Sequence, residues 1–150
     1  METTAVTTDR APAALGPYTQ AIVAGDFVFC SGTAGIDPVT GLVAEGIEAQ
    51  TEQALSNLAA ILDEAGSSLA QVVKTTIFYA DVDDFPLLNA VYGATHAGPA
   101  ARAVSPRQRP AASGPPGVDR GHRGGAPPGV GSHRTRDQGS MLAMTCLIRV

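Results

Sequence analysis

Short β-prone stretches and a tight turn mark the start of the chain. Residues 21–24 (AIVA) and 27–30 (FVFC) flank the pair Gly25-Asp26, which is typical of a two-residue hairpin turn. This arrangement predicts a β-hairpin between residues 18 and 31.

A long amphipathic segment covers residues 46–65. Its stripe-forming positions recur at spacings of three and four, and they are Ile47, Thr51, Ala54, Leu55, Leu58, Ile61, Leu62 and Ala65. Gly66 stands where the C-cap of a helix belongs. The pattern predicts a helix that must bury one face against a partner surface.

The next segment can supply that surface. Residues 72–80 (VVKTTIFYA) are β-branched and aromatic, which favours a strand. A second helix is expected after it, with Asp83 or Asp84 as its N-cap and Pro86 in its first turn. The order hairpin, helix, strand, helix predicts an α+β fold with two helices on one face of a sheet.

The periodicity stops after His96. Between residues 100 and 140 the large aliphatic residues are Val104, Val118 and Val130 alone. No window beyond residue 100 shows a period of 2 or 3.6, which favours disorder. The sequence therefore predicts an α+β domain over residues 1–99 and a disordered, Pro/Gly/Arg-rich tail over residues 100–150.

Charge divides the chain at the same place. Residues 1–99 hold two basic and twelve acidic residues, a net charge of −10, whereas residues 100–150 hold eight arginines and two acidic residues, a net charge of +6. An acidic folded part repels phosphates, which argues against a nucleic-acid partner. Neither a membrane helix nor a secretory signal is evident, so we expect a cytoplasmic protein with no membrane partner.

Six sequence blocks, in order and at a consistent spacing, resemble the Rid family of reactive-intermediate deaminases, in its RidA branch, across residues 10–92. Each block alone is weak evidence, but the ordered set is specific. The blocks are APAALGPYTQA at 11–21, CSG at 30–32, IDPVTGLV at 36–43, QTEQALSNLAAILDEAG at 50–66, VVKTTIFYADVDDF at 72–85 and NAVY at 89–92.

The resemblance implies a fold and an activity. The fold would be the chorismate-mutase-like Rid sheet, assembled as a homotrimer with active sites in clefts between subunits. The substrates would be small enamines and imines of the 2-aminoacrylate and 2-iminobutanoate type, hydrolysed to a 2-keto acid and ammonia. The resemblance implies no metal and no organic cofactor.

Site residues follow from the same resemblance, one position at a time. Tyr18 and Asn89 match catalytic positions, and Ser31 and Gly32 match the strand end whose backbone faces the ligand. Arg102 is the candidate for the arginine that pairs with the substrate carboxylate.

The last third departs from the family. The family's arginine stands in a P-A-R-S/T motif, but the nearest text here is PAARA at residues 99–103. The family's late glutamate, in an I-E-A-I-A strand, has no counterpart. A reading frame shifted by one nucleotide after Tyr92 permits both motifs at the family's spacing. We therefore hypothesise a frameshift, and we expect missing C-terminal strands and an unstable or poorly active product.

Each candidate site residue also has a structural interpretation. Tyr18 could pack at a strand start, Asn89 could be solvated on a helix, and Ser31-Gly32 could be an ordinary strand end. Arg102 could be the carboxylate anchor displaced by one residue or the first arginine of shifted-frame text, and we favour the second.

Other polar and sulfur-bearing residues lack the pattern of a metal site. The three histidines show no ligand spacing. Asp81, Asp83 and Asp84 are typical of a helix cap and a solvated turn. Cys30 is expected to be a buried strand residue. We predict no metal.

Two other functions stay open beside the deaminase. One is an RNA-acting endoribonuclease or translation inhibitor, a label that Rid proteins have also carried, although the −10 charge of residues 1–99 argues against it. The other is a non-catalytic ligand-binding trimer, which would suit a Rid relative without its arginine.

Overall fold

The structure, a computed structural model, describes residues 2–95, the backbone of residues 103–108, and residues 142–149. The two helices within these residues are α1 (Gly46–Glu64) and α2 (Phe85–Thr95). The strands are β1 (Thr3–Val6), β2 (Ala21–Ala24), β3 (Phe27–Cys30), β4 (Thr33–Ala34), β5 (Val72–Tyr79), β6 (Ala103–Gln108) and β7 (Ala143–Arg149).

These strands form one seven-stranded sheet in the order β1-β2-β3-β7-β5-β6, with β4 paired to β7. The β5–β6 pair is parallel and every other pair is antiparallel. Two helices and a mixed, mainly antiparallel sheet confirm the predicted α+β class. Helix α1 also confirms the helix predicted over residues 46–65.

Strand β7 lies inside the sheet, between β3 and β5. The expectation that the C-terminal strands are missing is therefore wrong. Leu142, Met144, Cys146 and Ile148 alternate with less buried residues, and their relative exposures are between 0% and 6%. This alternation has the period of a strand with one buried face, a signal present in the sequence that the search for periodicity missed.

Strand β6 also belongs to the stretch that was predicted to be disordered. Its backbone pairs in parallel with β5, from Lys74 opposite Ala103 to Tyr79 opposite Gln108. The prediction of disorder is thus wrong for residues 103–108 and 143–149. The rest of the predicted tail, and the boundary at residue 99, lie outside the described residues.

The core fills the space between the helices and one face of the sheet. Leu58, Ile61 and Leu62 of α1 pack with Val28 and Ile148 in one cluster. A second cluster joins Ala54 and Leu55 of α1 to residues of β5, α2 and β7 and to Leu142 just before β7; the other members are Ile77, Tyr79, Leu88, Tyr92 and Met144. Each fully buried large aliphatic side chain contributes roughly 1.5–3 kcal/mol before entropy is subtracted.

Helix α1 is fixed to the loop after β4 by a buried amide. Asn57, with 1% relative exposure, donates through Nδ2 to Ala34 O (2.9 Å) and Ile36 O (2.8 Å). Gly35 allows this approach, because a Cβ there would lie 2.5 Å from Gln50 O on the helix. The helix therefore packs directly on the backbone that leads out of β4.

The start of α2 agrees with the prediction. The helix begins at Phe85, so Asp84 stands just before its first residue, at one of the two positions predicted for the N-cap, and Pro86 lies in its first turn. The side-chain cap observed in this segment is that of Asp81, which caps a 3₁₀ turn over Val82–Asp84, its carboxylate accepting a hydrogen bond from Asp83 N.

The other face of the sheet carries apolar side chains that neither α1 nor α2 covers. Ile22, Phe27 and Phe29 are 40%, 39% and 50% exposed, and they alternate with buried residues of β2 and β3. Leu147 and Phe78, both half-buried, occupy the same face of β7 and β5. We call these five residues the open sheet face.

Candidate functional site

Tyr18, Ser31 and Gly32 lie near one another at the end of the β2–β3 hairpin where β2 begins and β3 ends; we call this strand end the Tyr18 edge. Strand β2 begins at Ala21 and β3 ends at Cys30, and these two residues are paired. The chain just before β2 therefore lies beside the chain just after β3. Ser31 joins the two segments, because its backbone N–H donates to Gln20 O (2.9 Å) and its hydroxyl donates to Thr19 O (2.6 Å).

The Tyr18 side chain lies on the surface of this edge and is 53% exposed. Its ring covers the preceding turn, where Tyr18 N donates to Gly16 O (2.8 Å). The phenol oxygen accepts a hydrogen bond from Leu15 N (3.2 Å). Because the oxygen is the acceptor in this bond, the phenolic proton can be directed to a ligand or water.

Gly32 gives the edge open space. It is exposed, and a Cβ at this position would meet no other atom within 4 Å. Packing within the described residues therefore does not require glycine here. The space next to its backbone is accessible to a small molecule.

Gln20 anchors the residues that precede Tyr18 in the sequence. This residue is buried, with 6% relative exposure, and its Nε2 donates to Thr8 O (3.0 Å), Ala11 O (3.2 Å) and Pro12 O (2.8 Å). Its Oε1 accepts from Thr8 N (2.6 Å). Gln20 is not among the predicted site residues. The available signal was one amide at the entry to an apolar strand.

Asn89 lies on a different part of the fold. It is exposed on α2, whose buried residues Leu88 and Tyr92 pack with the β5 side chains Ile77 and Tyr79. Strand β7 separates β5 from β3, so β5 is roughly 10 Å across the sheet from β3. The structure therefore brings Tyr18, Ser31 and Gly32 together and places Asn89 on a separate element.

Arg102 lies outside the described residues. Strand β6 begins one residue later, at Ala103, which pairs with Lys74 near the start of β5. The paired residues Phe29, Leu147, Lys74 and Ala103 form one row across β3, β7, β5 and β6, so the start of β6 lies three strand spacings, roughly 14 Å, from β3. The start of β6 and the Tyr18 segment are therefore separated across the sheet of one subunit.

Within the described part of the chain, no three His, Cys, Asp or Glu side chains lie close enough together to hold a metal ion. Among the same residues, no helix has the length and apolar character to cross a membrane. Arg10, the basic residue nearest in sequence to Tyr18 within residues 2–95, is engaged elsewhere: it donates to Asp63 Oδ2 (2.8 Å).

Known proteins resemble this chain in sequence. A family described as Endoribonuclease L-PSP matches residues 8–113. A protein named 2-iminobutanoate/2-iminopropanoate deaminase from Salmonella typhimurium is 46% identical over 89 residues, which is 59% of this chain and 70% of the relative. The chain belongs to the Rid family. Reactive Intermediate Deaminase A, chloroplastic, from Arabidopsis thaliana is 52% identical over 88 residues, and the match spans about half (47%) of that protein's length.

Solved structures have a similar fold. RidA from an Antarctic Psychrobacter has a TM-score of 0.76 at 31% identity, covering 98% of this chain and 99% of that one. Escherichia coli TdcF with bound serine has a TM-score of 0.73 at 26% identity, covering 98% of each. The predicted membership of the Rid family is confirmed.

Proposed function

We propose that this Rid protein is a hydrolytic deaminase of reactive enamine and imine intermediates. The observation that carries the proposal is the edge formed by Tyr18, Ser31 and Gly32, in a chain that is 46% identical over 89 residues to a relative named 2-iminobutanoate/2-iminopropanoate deaminase. The products would be a 2-keto acid and ammonia. The name of the Arabidopsis relative includes a chloroplast location, and we propose the cytoplasm for this chain.

The chemistry requires few groups. The enamine first tautomerises to the imine, and water then adds to the C=N carbon to give a carbinolamine. Transfer of a proton to nitrogen releases ammonia and leaves the 2-keto acid. We assign the phenol of Tyr18 to hold the imine nitrogen or the water, and the backbone at Ser31-Gly32 to hold the substrate opposite it.

We propose that Asn89 and Arg102 complete the site from a neighbouring subunit. The separation of Ser31 from the start of β6, three strand spacings across the sheet of one subunit, supports a site shared between chains. In this site Arg102 would pair with the substrate carboxylate, an interaction worth roughly 1.5–3 kcal/mol net. The neighbouring subunit would be a second copy of this chain in a homotrimer.

The open sheet face supports this assembly. Ile22, Phe29 and Leu147 occupy successive strands in one row, since Ile22 pairs with Phe29 and Phe29 with Leu147. Contiguous apolar side chains on a sheet need cover, and identical subunits packed around an axis would provide it. Light scattering coupled to size-exclusion chromatography should give a trimer mass.

The activity assay uses an imine that is generated in situ. A threonine dehydratase releases 2-iminobutanoate, and the rate of 2-ketobutanoate formation is followed with and without this protein. Tyr18→Phe should lower kcat/KM by roughly 10²-fold or more if the phenol transfers a proton. Tyr79→Phe removes the same atom from a buried core residue and serves as the matched control. No acceleration by the wild-type chain would refute the deaminase proposal.

Subunit mixing tests the shared site. Tyr18→Phe and Arg102→Ala chains are unfolded together, mixed in equal amounts and refolded. If one site uses Tyr18 from one chain and Arg102 from the next, about one quarter of sites regain both wild-type residues by random assembly. Activity that stays at the level of the separate variants would contradict a site shared in this way.

An endoribonuclease is the second candidate, favoured by the description of the family that matches residues 8–113. The −10 charge of residues 1–99 opposes it, because RNA-binding surfaces neutralise phosphates with basic side chains. Incubation with single-stranded RNA separates the candidates. Cleavage that Tyr18→Phe abolishes together with deamination would assign both activities to one site, whereas cleavage unaffected by Tyr18→Phe would not belong to this edge. The non-catalytic trimer remains the alternative if neither reaction occurs.

The frameshift hypothesis concerns the gene. Its structural consequence, an incomplete sheet, is wrong for the described residues, since β7 as printed fills the position between β3 and β5. The expected instability loses that support. The nucleotide sequence across codons 92–125 tests the hypothesis itself, and a faithful reading of PAARA at residues 99–103 would keep Arg102 as the candidate anchor.

A further inference from the structure

Two cysteines face each other across neighbouring strands. Cys30 ends β3 and Cys146 lies in β7, and both are free thiols with relative exposures of 8% and 6%. The antiparallel register runs from Phe27 opposite Arg149 to Phe29 opposite Leu147. The next step of this register places Cys30 opposite Cys146.

Their geometry is compatible with a covalent bond. Directly opposed residues on antiparallel strands have Cα atoms about 4.5–5.5 Å apart, within the roughly 4.4–6.8 Å that disulfides span. Both side chains point to the helix side of the sheet, where they belong to one core cluster. Bond formation therefore requires side-chain rotation rather than backbone movement.

The two sulfur atoms already interact. A hydrogen bond with Cys30, together with burial, raises the pKa of the Cys146 thiol above its ordinary range. Thiolates are scarce in such surroundings, so attack on an oxidant is slow. A pair of this kind stays reduced under a brief oxidative exposure and responds to a sustained one.

We propose that Cys30 and Cys146 form a redox pair that closes to a cross-strand disulfide under sustained exposure to a peroxide. One thiol loses its proton and attacks the peroxide, which gives a sulfenic acid and the first water. The second sulfur displaces the hydroxyl group of the sulfenic acid, which leaves as the second water. The two thiols lose two electrons and two protons in total, and a dithiol reductant reverses the change.

The bond would link β7 covalently to the hairpin next to the candidate site. It would close a loop over residues 31–145. A cross-link across a loop of this length lowers the entropy of the unfolded chain substantially, which stabilises the folded state. Cys30 directly precedes Ser31, so the restraint acts on the strand end at that edge. The proposal does not depend on the deaminase activity, because its readouts are covalent structure and Tm.

The experiment treats the full-length protein with hydrogen peroxide for hours, blocks remaining thiols with iodoacetamide after denaturation, and maps peptides without reductant. We expect a cross-linked peptide that joins Cys30 to Cys146 within one chain, and a Tm raised by roughly 5–15 °C that dithiothreitol restores. Cys146→Ala and Cys30→Ala are the matched controls, and neither should show a peroxide-induced rise in Tm.

Three results would overturn the proposal. One is full alkylation of both cysteines after peroxide treatment. Another is a cross-link found only between chains, and the third is a sulfinic acid on either cysteine with no cross-link. The wild-type peptide map decides the matter even if a cysteine variant does not fold.

Discussion

Gln20→Glu is the most informative single substitution for the edge that carries Tyr18. It keeps the size of the side chain and its Oε1 acceptor, but it replaces the Nε2 donor with oxygen. In the wild type that donor serves three carbonyl oxygens at 2.8–3.2 Å, those of Thr8, Ala11 and Pro12. After the change an oxygen faces three oxygens in a buried position.

The cost can be worked from these contacts. A neutral hydrogen bond contributes about 0.5–1.5 kcal/mol net, and a buried group left unsatisfied costs about 1–3 kcal/mol. With two N–H groups lost, we expect the free energy of unfolding at pH 7 to fall by about 2–5 kcal/mol. For a chain of this length the Tm should decrease by roughly 5–15 °C.

The pH dependence gives a second test. Burial and the three carbonyl oxygens should raise the pKa of the introduced carboxyl group in the folded state above its unfolded value of about 4.3. Below the unfolded value both states bind the proton, so the deficit relative to wild type is smallest there. It should grow as the pH rises through the folded pKa.

Urea denaturation followed by far-UV circular dichroism, at equal protein concentration, measures the difference. Gln71→Glu is the matched control, because Gln71 is exposed and its Oε1 accepts from Ser67 Oγ (2.9 Å), a bond the variant keeps. That control should change stability by less than about 0.5 kcal/mol. Equal stability of Gln20→Glu and wild type at pH 7 would refute the role assigned to Gln20.

Three further predictions concern other parts of the fold. Asn57→Ala leaves two carbonyl acceptors without their amide and should lower the free energy of unfolding by about 2–4 kcal/mol. Met144→Ala empties a fully buried position of β7 and should cost about 2–5 kcal/mol, whereas Thr145→Ala on the opposite face should cost less than about 1 kcal/mol; equal costs would contradict the burial pattern of β7. Backbone N–H groups of Thr40 and then Val39 lower the pKa of the Asp37 carboxyl, so its stabilisation is present above the unfolded pKa and is lost as the pH falls through the folded one; wild type and Asp37→Asn should therefore converge in acid denaturation curves.

Local periodicity predicted the elements whose burial follows their own sequence. Helix α1 was expected over residues 46–65 and is found over Gly46–Glu64, because its stripe of apolar residues matches the helical period. The β2–β3 hairpin and β5 were predicted for similar reasons. In each case local preference and tertiary burial agree.

The missed elements depend on partners far away in sequence. Strand β6 (AVSPRQ) contains a proline and polar residues, so its own sequence does not predict a strand. Its hydrogen-bonded pairing with β5 stabilises the strand instead. Strand β7 has a clear alternation, but it is only seven residues long and follows a long stretch rich in proline, glycine and arginine. The composition of residues 100–150 as a whole therefore conceals the alternation of β7.

The candidate site divides in the same way. The hairpin register brings Tyr18 beside Ser31, so their proximity follows from a correctly predicted hairpin. The role of Gln20 could not be predicted, because its three acceptors become neighbours only when residues 8–12 fold back on β2. Whether Asn89 joins the site depends on contacts between subunits, which no periodicity within one chain encodes.

The place of β7 has a consequence for how the protein is made. Strand β7 leaves the ribosome after every other described strand and is the one that joins β3 to β5, so the two halves of the sheet cannot unite until it has been made. Until then β3 and β5 both present unpaired edges, which attract other chains. Synthesis of this protein should therefore be a period of high aggregation risk that lasts until residues 143–149 emerge, and a holdase chaperone would be most useful in that interval.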